Sequence, residues 1–239
     1  MKNFIGYIYK DGEASRQAHL INILKAQVEN SLRLGWKKED IVFVTNFEFE
    51  HMGVTPLINM TLHCDWSVWT NKHYSLCFAM RHFEDNWWVH DHDMWQLQPF
   101  EFPKFESLLM LNVIDIESGR ASDSSFFIKK SSLMEEFVKF CDNNRHIMHR
   151  RGEIFWHEFI RGENRMPIPY DVLDWSYGMR KNKSGRRKFR RRYNACDKPI
   201  KAIHARRPEQ MASFFRGQNR KSFSVDDEFF EIYRKYVLA

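Results

Sequence analysis

Two aspartates separated by one residue, Asp91 and Asp93, follow a hydrophobic run that begins at Trp87. Residues i and i+2 of an extended chain point to the same side, so both carboxylates would lie together where the strand ends. Open α/β sheets bind their ligands at this carboxyl end. Paired carboxylates suit Mg²⁺ or Mn²⁺. Phosphate oxygens often complete the coordination of these ions. The pair predicts a site for a divalent cation and a phosphorylated ligand, with a solvated Asp-rich turn as the alternative.

The elements before this pair are typical of an α/β protein. A strand is predicted over 4–9, a helix over about 15–34 and a second strand over 41–45. Apolar residues of the helix recur every three or four positions, whereas the second strand is continuously apolar, as parallel strands covered on both faces are. Gly35 lies where glycine commonly ends a helix. We therefore predict a parallel β–α–β unit with a right-handed crossover.

Further elements follow the same logic. Strands are predicted over 86–90 and 124–129, and helices over 71–83, 131–142 (with Ser131 as N-cap), 153–159 and 225–236. The chain has 239 residues, of which 21 are Phe and 8 are Trp, enough for one packed core. It lacks an apolar run long enough for a membrane helix, and its cysteines lack ligand spacing. These features favour a single domain over 1–239 in a reducing, cytoplasmic location (the host cytoplasm for a viral protein).

The succession of motifs resembles nucleotide-sugar glycosyltransferases of the GT-A fold. Asn-Lys-His-Tyr at 71–74 precedes Trp-Trp-Val-His-Asp-His-Asp at 87–93, and Leu-x-Pro-Phe follows at 97–100. The resemblance covers the element order over about 4–205 and is specific only around 86–100. It implies an α/β GT-A-like domain with a mostly parallel central sheet flanked by helices, and a basic C-terminal extension. Residues 1–100 would bind the nucleotide sugar, and residues 101–239 would bind the acceptor.

The resemblance also implies roles for single residues. The metal, Mn²⁺ or Mg²⁺, would be held by Asp91, Asp93 and His204. The donor, with a UDP-sugar as first choice, would contact Tyr9, Asn46, Lys72, Asp91 and Arg206. Each of these has an ordinary alternative as a core, turn or surface residue. Where the family often has Asn-Ser-Gly, this chain has Asp-Ser-Ser at 123–125.

Chemically, a divalent ion on the diphosphate would stabilise the leaving group as the sugar–phosphate bond breaks. An inverting enzyme also needs a base for the acceptor hydroxyl, whereas a retaining enzyme does not need it in the same way. The candidate catalytic carboxylates are Glu158, Glu153 and Asp123, with Glu158 preferred over Glu153. Glutamates on the solvated face of a helix are the alternative.

The segment 180–192 is strongly basic. It contains nine Lys or Arg and no acidic residue, so the remaining chain is near −3, given a total of +6. Such a patch can neutralise several phosphates, and neighbouring aromatic side chains can stack on unpaired bases. The candidate nucleic-acid contacts are Arg186, Arg187, Lys188, Arg190, Arg191 and Arg192. Together with a transferase, they indicate DNA as acceptor, for example a flipped hydroxymethylated base in viral DNA.

Other interpretations remain open at this stage. The acceptor could be a glycan or glycoprotein, and the basic segment could be a solvated loop, a membrane-surface patch or a contact to the donor diphosphate. The pair His90-Asp91 could belong to a metal-dependent phosphohydrolase or nuclease, although such pairs lie on helices and this one is predicted on a strand. A nonenzymatic nucleic-acid-binding protein is the third class.

Overall fold

A seven-stranded sheet forms the centre of the protein. The structure, a computed structural model, describes residues 1–8, 14–61, 70–115, 120–145, 152–162, 166–177, 179–180, 196–205 and 226–238. The strands of this sheet are β1 (Lys2–Ile8), β2 (Ile41–Thr45), β3 (Leu57–Ile58), β4 (Trp87–His90), β6 (Leu109–Asp115), β7 (Arg120–Ile128) and β8 (Tyr170–Val172). Their spatial order is β3-β2-β1-β4-β7-β6-β8. All neighbours pair in parallel except β7, which runs antiparallel to β4 and β6.

Helices cover this sheet, as predicted. The helices of eight residues or more in the described part are α1 (Ala14–Arg33), α2 (Asn71–Met80), α3 (Leu133–Asn143), α4 (Gly152–Arg161) and α5 (Asp227–Val237). The predicted β–α–β opening is confirmed, since β1 and β2 pair in parallel around α1. A mostly parallel α/β sheet flanked by helices is therefore the fold of the chain.

The end of α1 follows the predicted glycine signal. Gly35 has a φ of +90°, the left-handed region that glycine enters without a steric penalty. The N–H of Gly35 donates to the carbonyl of Leu32 at 3.0 Å, and the N–H of Trp36 donates to that of Ser31 at 3.1 Å. This pair of bonds is a Schellman motif, which satisfies the last carbonyls of the helix.

The N-cap predicted for the third helix is wrong by one residue. Ser132, not Ser131, precedes α3, and its side chain makes no capping hydrogen bond to the backbone. The hydroxyl of Ser131 donates to the carbonyl of Lys129 at 3.2 Å and accepts a 3.4 Å hydrogen bond from the N–H of Leu133, the first residue of α3, so Ser131 still satisfies one N–H at the start of the helix. The strand before this helix is also longer than predicted, since β7 begins at Arg120.

The two faces of the sheet bury different clusters because side chains alternate along each strand. On β4, Trp87 and Val89 pack with α2, α3 and α4, whereas Trp88 points to the opposite face. On β1, Phe4 joins the first cluster and Ile5 packs against α1. The aspartates therefore follow a strand that is buried on both faces, which fixes the direction in which the chain leaves the sheet.

A second, three-stranded sheet brings the C-terminal part of the chain to the aspartates. It consists of β5 (Met94–Gln96), β10 (Ala202–His204) and β9 (Met179–Arg180), in that order. Helix α5 supports it, because Trp95 of β5 packs edge-on against Tyr233 with ring centroids 5.0 Å apart. Within the described residues, no helix combines the length and apolar character needed to cross a membrane.

Candidate metal and nucleotide site

The two aspartates lie in a tight turn at the carboxyl end of β4. The strand ends at His90, so residues 91–93 do not continue it as the i, i+2 argument assumed. The N–H of Asp91 donates to the carbonyl of Ser124 at 3.0 Å, and the N–H of Met94 donates to the carbonyl of Asp91 at 2.9 Å. The carboxylates nonetheless come together, because the turn reverses the chain into β5.

His204 completes a three-residue cluster with these aspartates. Strand β10 runs antiparallel to β5, with His204 opposite Met94. Its Nε2 atom lies 2.9 Å from Oδ1 of Asp93. One ligand atom from each of Asp91, Asp93 and His204 can be chosen so that all three lie within 4.8 Å of one another. The structure thus brings together the three residues that the resemblance implied as metal ligands.

The state of the His204 ring supports a cation site. The side chain is only 1% exposed, and its Nε2 makes no hydrogen bond of normal geometry within the described residues. The short contact to Asp93 therefore resembles two ligands facing a shared ion more than a donor facing an acceptor. Carboxylates bind Mg²⁺ and Mn²⁺, and an imidazole nitrogen beside them favours the transition-series ion. The residues present fit Mn²⁺.

Lys72 provides positive charge beside the cluster. It is the second residue of α2, and its Nζ donates to Oδ1 of Asp91 at 2.7 Å and to the backbone carbonyl of Asp123. The same atom lies 3.7 Å from Oδ2 of Asp123. Burial by itself would lower the pKa of Lys72, but the charges of Asp123 and Asp91 outweigh it and raise that pKa. Lys72 is therefore a cation at neutral pH.

Asp123 lies next to the aspartate turn because of the antiparallel register of β7 and β4. His90 faces Ser125 across the ladder, so Asp123 comes two residues beyond the last pair, on the side of the turn. Its side chain is 11% exposed. In this position the carboxylate contacts Lys72 and lies 3.8 Å from Nε2 of His73. Asp123 therefore helps to place the Lys72 ammonium, whereas a direct catalytic role stays a prediction.

His73 is buried under this group and was not predicted as part of it. Its ring stacks on Trp156 with centroids 5.2 Å apart and meets Phe137 edge-on at 4.8 Å. Neither ring nitrogen has a hydrogen-bond partner within the described residues. Burial, helped by the nearby Lys72, lowers the pKa of His73 to about 3. The ring is neutral at physiological pH, and the aromatic spacing of α2 alone gave no signal for this contact with the site.

His90 has a structural role instead of a metal-binding one. It lies on strand β4, and its ring nitrogens contact Oδ1 of Asn3 and the carbonyl of Asp91, each at 2.9 Å. Its ring stacks on Trp88 at 4.1 Å, and burial lowers its pKa to about 3. His90 and Asp91 therefore do not form the helical His-Asp pair that is typical of such a phosphohydrolase.

Two buried polar residues of α1 hold the returning strand in place. The amide of Gln27 donates to the carbonyls of His92 and Met94 at 2.8 and 2.7 Å. The amide of Asn30 donates to the carbonyl of Gln96 at 2.9 Å. These residues were missed, although polar side chains on the apolar face of a helix are a usable signal. They fix the turn that carries the aspartates.

Of the remaining predicted residues, the structure describes Asn46 and Glu158 in full. Asn46 follows β2 at the carboxyl edge of the sheet and is half-buried. Glu158 is half-buried on α4, whose other face buries Trp156 and Phe159 in the core. Tyr9, the side chain of Glu153, Arg206 and the basic segment from 181 onward (Arg186, Arg187, Lys188, Arg190, Arg191 and Arg192) lie outside the described residues. Their roles stay predictions.

Comparison with known proteins identifies the fold. No family model matches the chain, and no curated protein matches it. Among solved structures, the galactosyltransferase LgtC, in complex with donor and acceptor sugar analogs, aligns with a TM-score of 0.55 and 8% identity over 98% of this chain and 96% of that one. The glycosyltransferase GlyE of Streptococcus pneumoniae TIGR4 aligns with a TM-score of 0.57 and 12% identity over 99% and 59%.

A third similar structure is a glycosyltransferase involved in the glycosylation of the major capsid of PBCV-1. It aligns with a TM-score of 0.52 and 10% identity over 86% of this chain and 93% of that one. The α/β fold of this chain is therefore the one found in GT-A glycosyltransferases. At such identities the likeness concerns the fold, and the chemistry must be argued from the site.

Proposed function

We propose that this protein is a glycosyltransferase that moves a sugar from a nucleoside diphosphate sugar, most simply a UDP-sugar, to an acceptor hydroxyl with the help of Mn²⁺ or Mg²⁺. The observation that carries the proposal is the cluster of Asp91, Asp93 and His204 within 4.8 Å. It lies at the carboxyl end of a central strand, where open α/β sheets bind ligands. The fold shared with several glycosyltransferases supports it independently.

The side chains divide the chemistry between them. Asp91, Asp93 and His204 would hold the ion, which when bound supplies positive charge to the diphosphate leaving group. Lys72 adds a second positive charge beside the cluster, and its ammonium group could bind phosphate oxygens of the donor. Asp123 orients that ammonium through the contact described above. The site would therefore place two positive groups, the ion and the Lys72 ammonium, where the departing diphosphate gains negative charge.

The acceptor side is argued from the sequence. Glu158 is proposed as the base that accepts the proton of the attacking hydroxyl, should the reaction invert the anomeric centre. The basic segment 180–192 supports DNA as acceptor, because its charge can neutralise several phosphates. Replacing Arg190, Arg191 and Arg192 by Ala should weaken DNA binding and flatten its salt dependence. Unchanged DNA affinity would instead direct attention to a glycan or glycoprotein acceptor.

The experiment that tests the donor site is thermal unfolding with a panel of nucleoside diphosphates, each with and without Mn²⁺. A ligand that binds only the folded state at about 100 times its Kd adds roughly 2.7 kcal/mol. A metal-dependent rise in the unfolding temperature with UDP or another nucleoside diphosphate supports the proposal and identifies the nucleobase of the donor. The absence of a shift with every nucleotide would contradict it, and nucleic-acid binding would then be tested first.

A further inference from the structure

The carboxylate of Asp91 has two possible partners, the Lys72 ammonium and a metal ion. Oδ1 of Asp91 accepts a 2.7 Å hydrogen bond from Nζ of Lys72, and Asp91 is also a member of the candidate metal cluster. The Lys72 side chain is 12% exposed, so water screens its charge only weakly. A divalent ion bound at the cluster would therefore lie close to a fixed positive charge and share a ligand with it.

The charges around the cluster indicate when a divalent ion would bind beside Lys72. Asp91, Asp93 and Asp123 contribute three negative charges, and Lys72 contributes one positive charge. A divalent ion neutralises the remainder, but it must then compete with the ammonium for Asp91. A diphosphate changes the competition, because its oxygens offer the ammonium a new partner and offer the ion additional ligands.

We propose that Lys72 makes cation binding conditional on the nucleotide: the ammonium and the divalent ion compete for Asp91, and a bound diphosphate relieves the competition by accepting the ammonium. This inference rests on the proposed function. Because binding linkage is reciprocal, the ion and the nucleotide should each strengthen the binding of the other by the same factor. The enzyme would then bind its ion mainly together with the donor.

The test is a titration of Mn²⁺, followed by the paramagnetic resonance signal of free Mn²⁺, with and without saturating UDP. The proteins are the wild type, Lys72→Gln and the control Lys2→Gln. Lys2 is a fair control because it also contacts two carboxylates, Asp40 and Asp85, with a side chain that is 9% exposed. It starts β1, at the end of the sheet opposite to the site.

We expect Lys72→Gln to bind Mn²⁺ without UDP about tenfold more tightly than the wild type, because a like charge beside the ion is removed. We also expect UDP to enhance Mn²⁺ binding less in this variant, while Lys2→Gln keeps the wild-type values. Far-UV circular dichroism would verify that all three proteins are folded.

Two results would overturn the inference and leave the proposed function standing. In the first, wild type binds Mn²⁺ with UDP, but Lys72→Gln is no tighter for Mn²⁺ alone. In the second, the variant binds Mn²⁺ more tightly, but UDP strengthens Mn²⁺ binding by the same factor as in the wild type. Lys72 would then weaken ion binding through its charge alone, without a link to the nucleotide. If none of the folded proteins binds Mn²⁺, either alone or with any nucleoside diphosphate of the unfolding panel, both the inference and the metal-dependent transferase are wrong.

Discussion

The backbone N–H of Ala205 donates a 3.0 Å hydrogen bond to the carbonyl oxygen of Asp93. This bond extends the antiparallel pairing of β10 and β5 to the residue that carries the candidate ligand. The neighbouring His204 is consequently positioned by backbone pairing, and its ring needs little rearrangement to face the carboxylate of Asp93. Preorganisation of this kind lowers the cost of ordering a ligand when an ion binds.

Asp93→Asn should abolish the Mn²⁺-dependent part of the stabilisation by UDP while leaving the protein folded. The amide keeps the shape of the side chain but removes the negative charge that binds the ion. The measurement is the unfolding temperature with UDP, with and without Mn²⁺. Asp85→Asn is the matched control, since this carboxylate contacts the N-terminal amine and Lys2 instead. A full metal-dependent shift in Asp93→Asn would contradict the assignment of this ligand.

Glu158→Gln should lower the rate of transfer by about 10²- to 10⁴-fold if this residue is the base, because the amide cannot accept the proton. Binding of UDP with Mn²⁺ should be unaffected. The measurement is release of UDP from a UDP-sugar with an acceptor that supports turnover, compared with Glu153→Gln. A larger loss in Glu153→Gln would move the base to that residue, and full activity in both would argue for a retaining mechanism.

His73→Phe should remove part of the acid sensitivity of the fold. The pKa of His73 is about 3 in the folded protein and near 6.5 when unfolded, so the unfolded chain binds more protons between these values. The contribution of the neutral His73 ring to the free energy of unfolding is therefore fully present above about pH 6.5 and is lost as the pH decreases toward 3. Denaturant unfolding at pH 7 and pH 5 should show a loss of about 2 kcal/mol in wild type that is attributable to this residue.

The His73→Phe variant should lack that contribution, while the similar contribution from His90 persists in both proteins. The aromatic replacement suits the surroundings of Trp156, Phe126 and Phe137. An equal loss of stability between pH 7 and pH 5 in wild type and variant would show that His73 does not titrate between the folded and unfolded states.

Gly35→Ala should destabilise the protein by about 1 kcal/mol, because an L-residue at a φ of +90° is strained. A Cβ placed there would meet no atom within 4 Å, so the cost is conformational and not steric crowding. Urea unfolding measures it, and Gly35→Asn should cost less, since asparagine tolerates left-handed backbone. Equal stability of all three proteins would argue against the Schellman end of α1 in solution.

The sequence predicted the elements whose signals are local. The β–α–β opening, its terminal Gly35 and the strand before the aspartates follow from apolar spacing within short windows. Ser131 was misassigned because two adjacent serines precede α3 and only the backbone geometry distinguishes them. The turn at 91–93 was missed because the i, i+2 rule assumes that the strand continues, whereas the chain reverses there and the N–H of Met94 donates back to the carbonyl of Asp91.

The long-range part of the site could be predicted only through resemblance. The motif spacing alone does not show that β10 pairs with β5, and the implied role of His204 came from its position late in the chain. The contacts of Gln27 with the aspartate turn and of His73 with Asp123 depend on packing between elements distant in sequence. Pattern within a window of residues carries no information about such neighbours.

The pairing of β10 with β5 has a consequence for how the protein matures. Asp93 and His204 come from distant parts of the chain, so the cluster closes a loop that spans about half of the molecule. A nascent chain that has reached the aspartates but not β10 has two carboxylates and lacks the imidazole. Ion binding at this position would therefore stabilise only the complete tertiary structure. The bound ion would raise the free energy of unfolding of the finished fold and would give no such stabilisation to a partly synthesised chain.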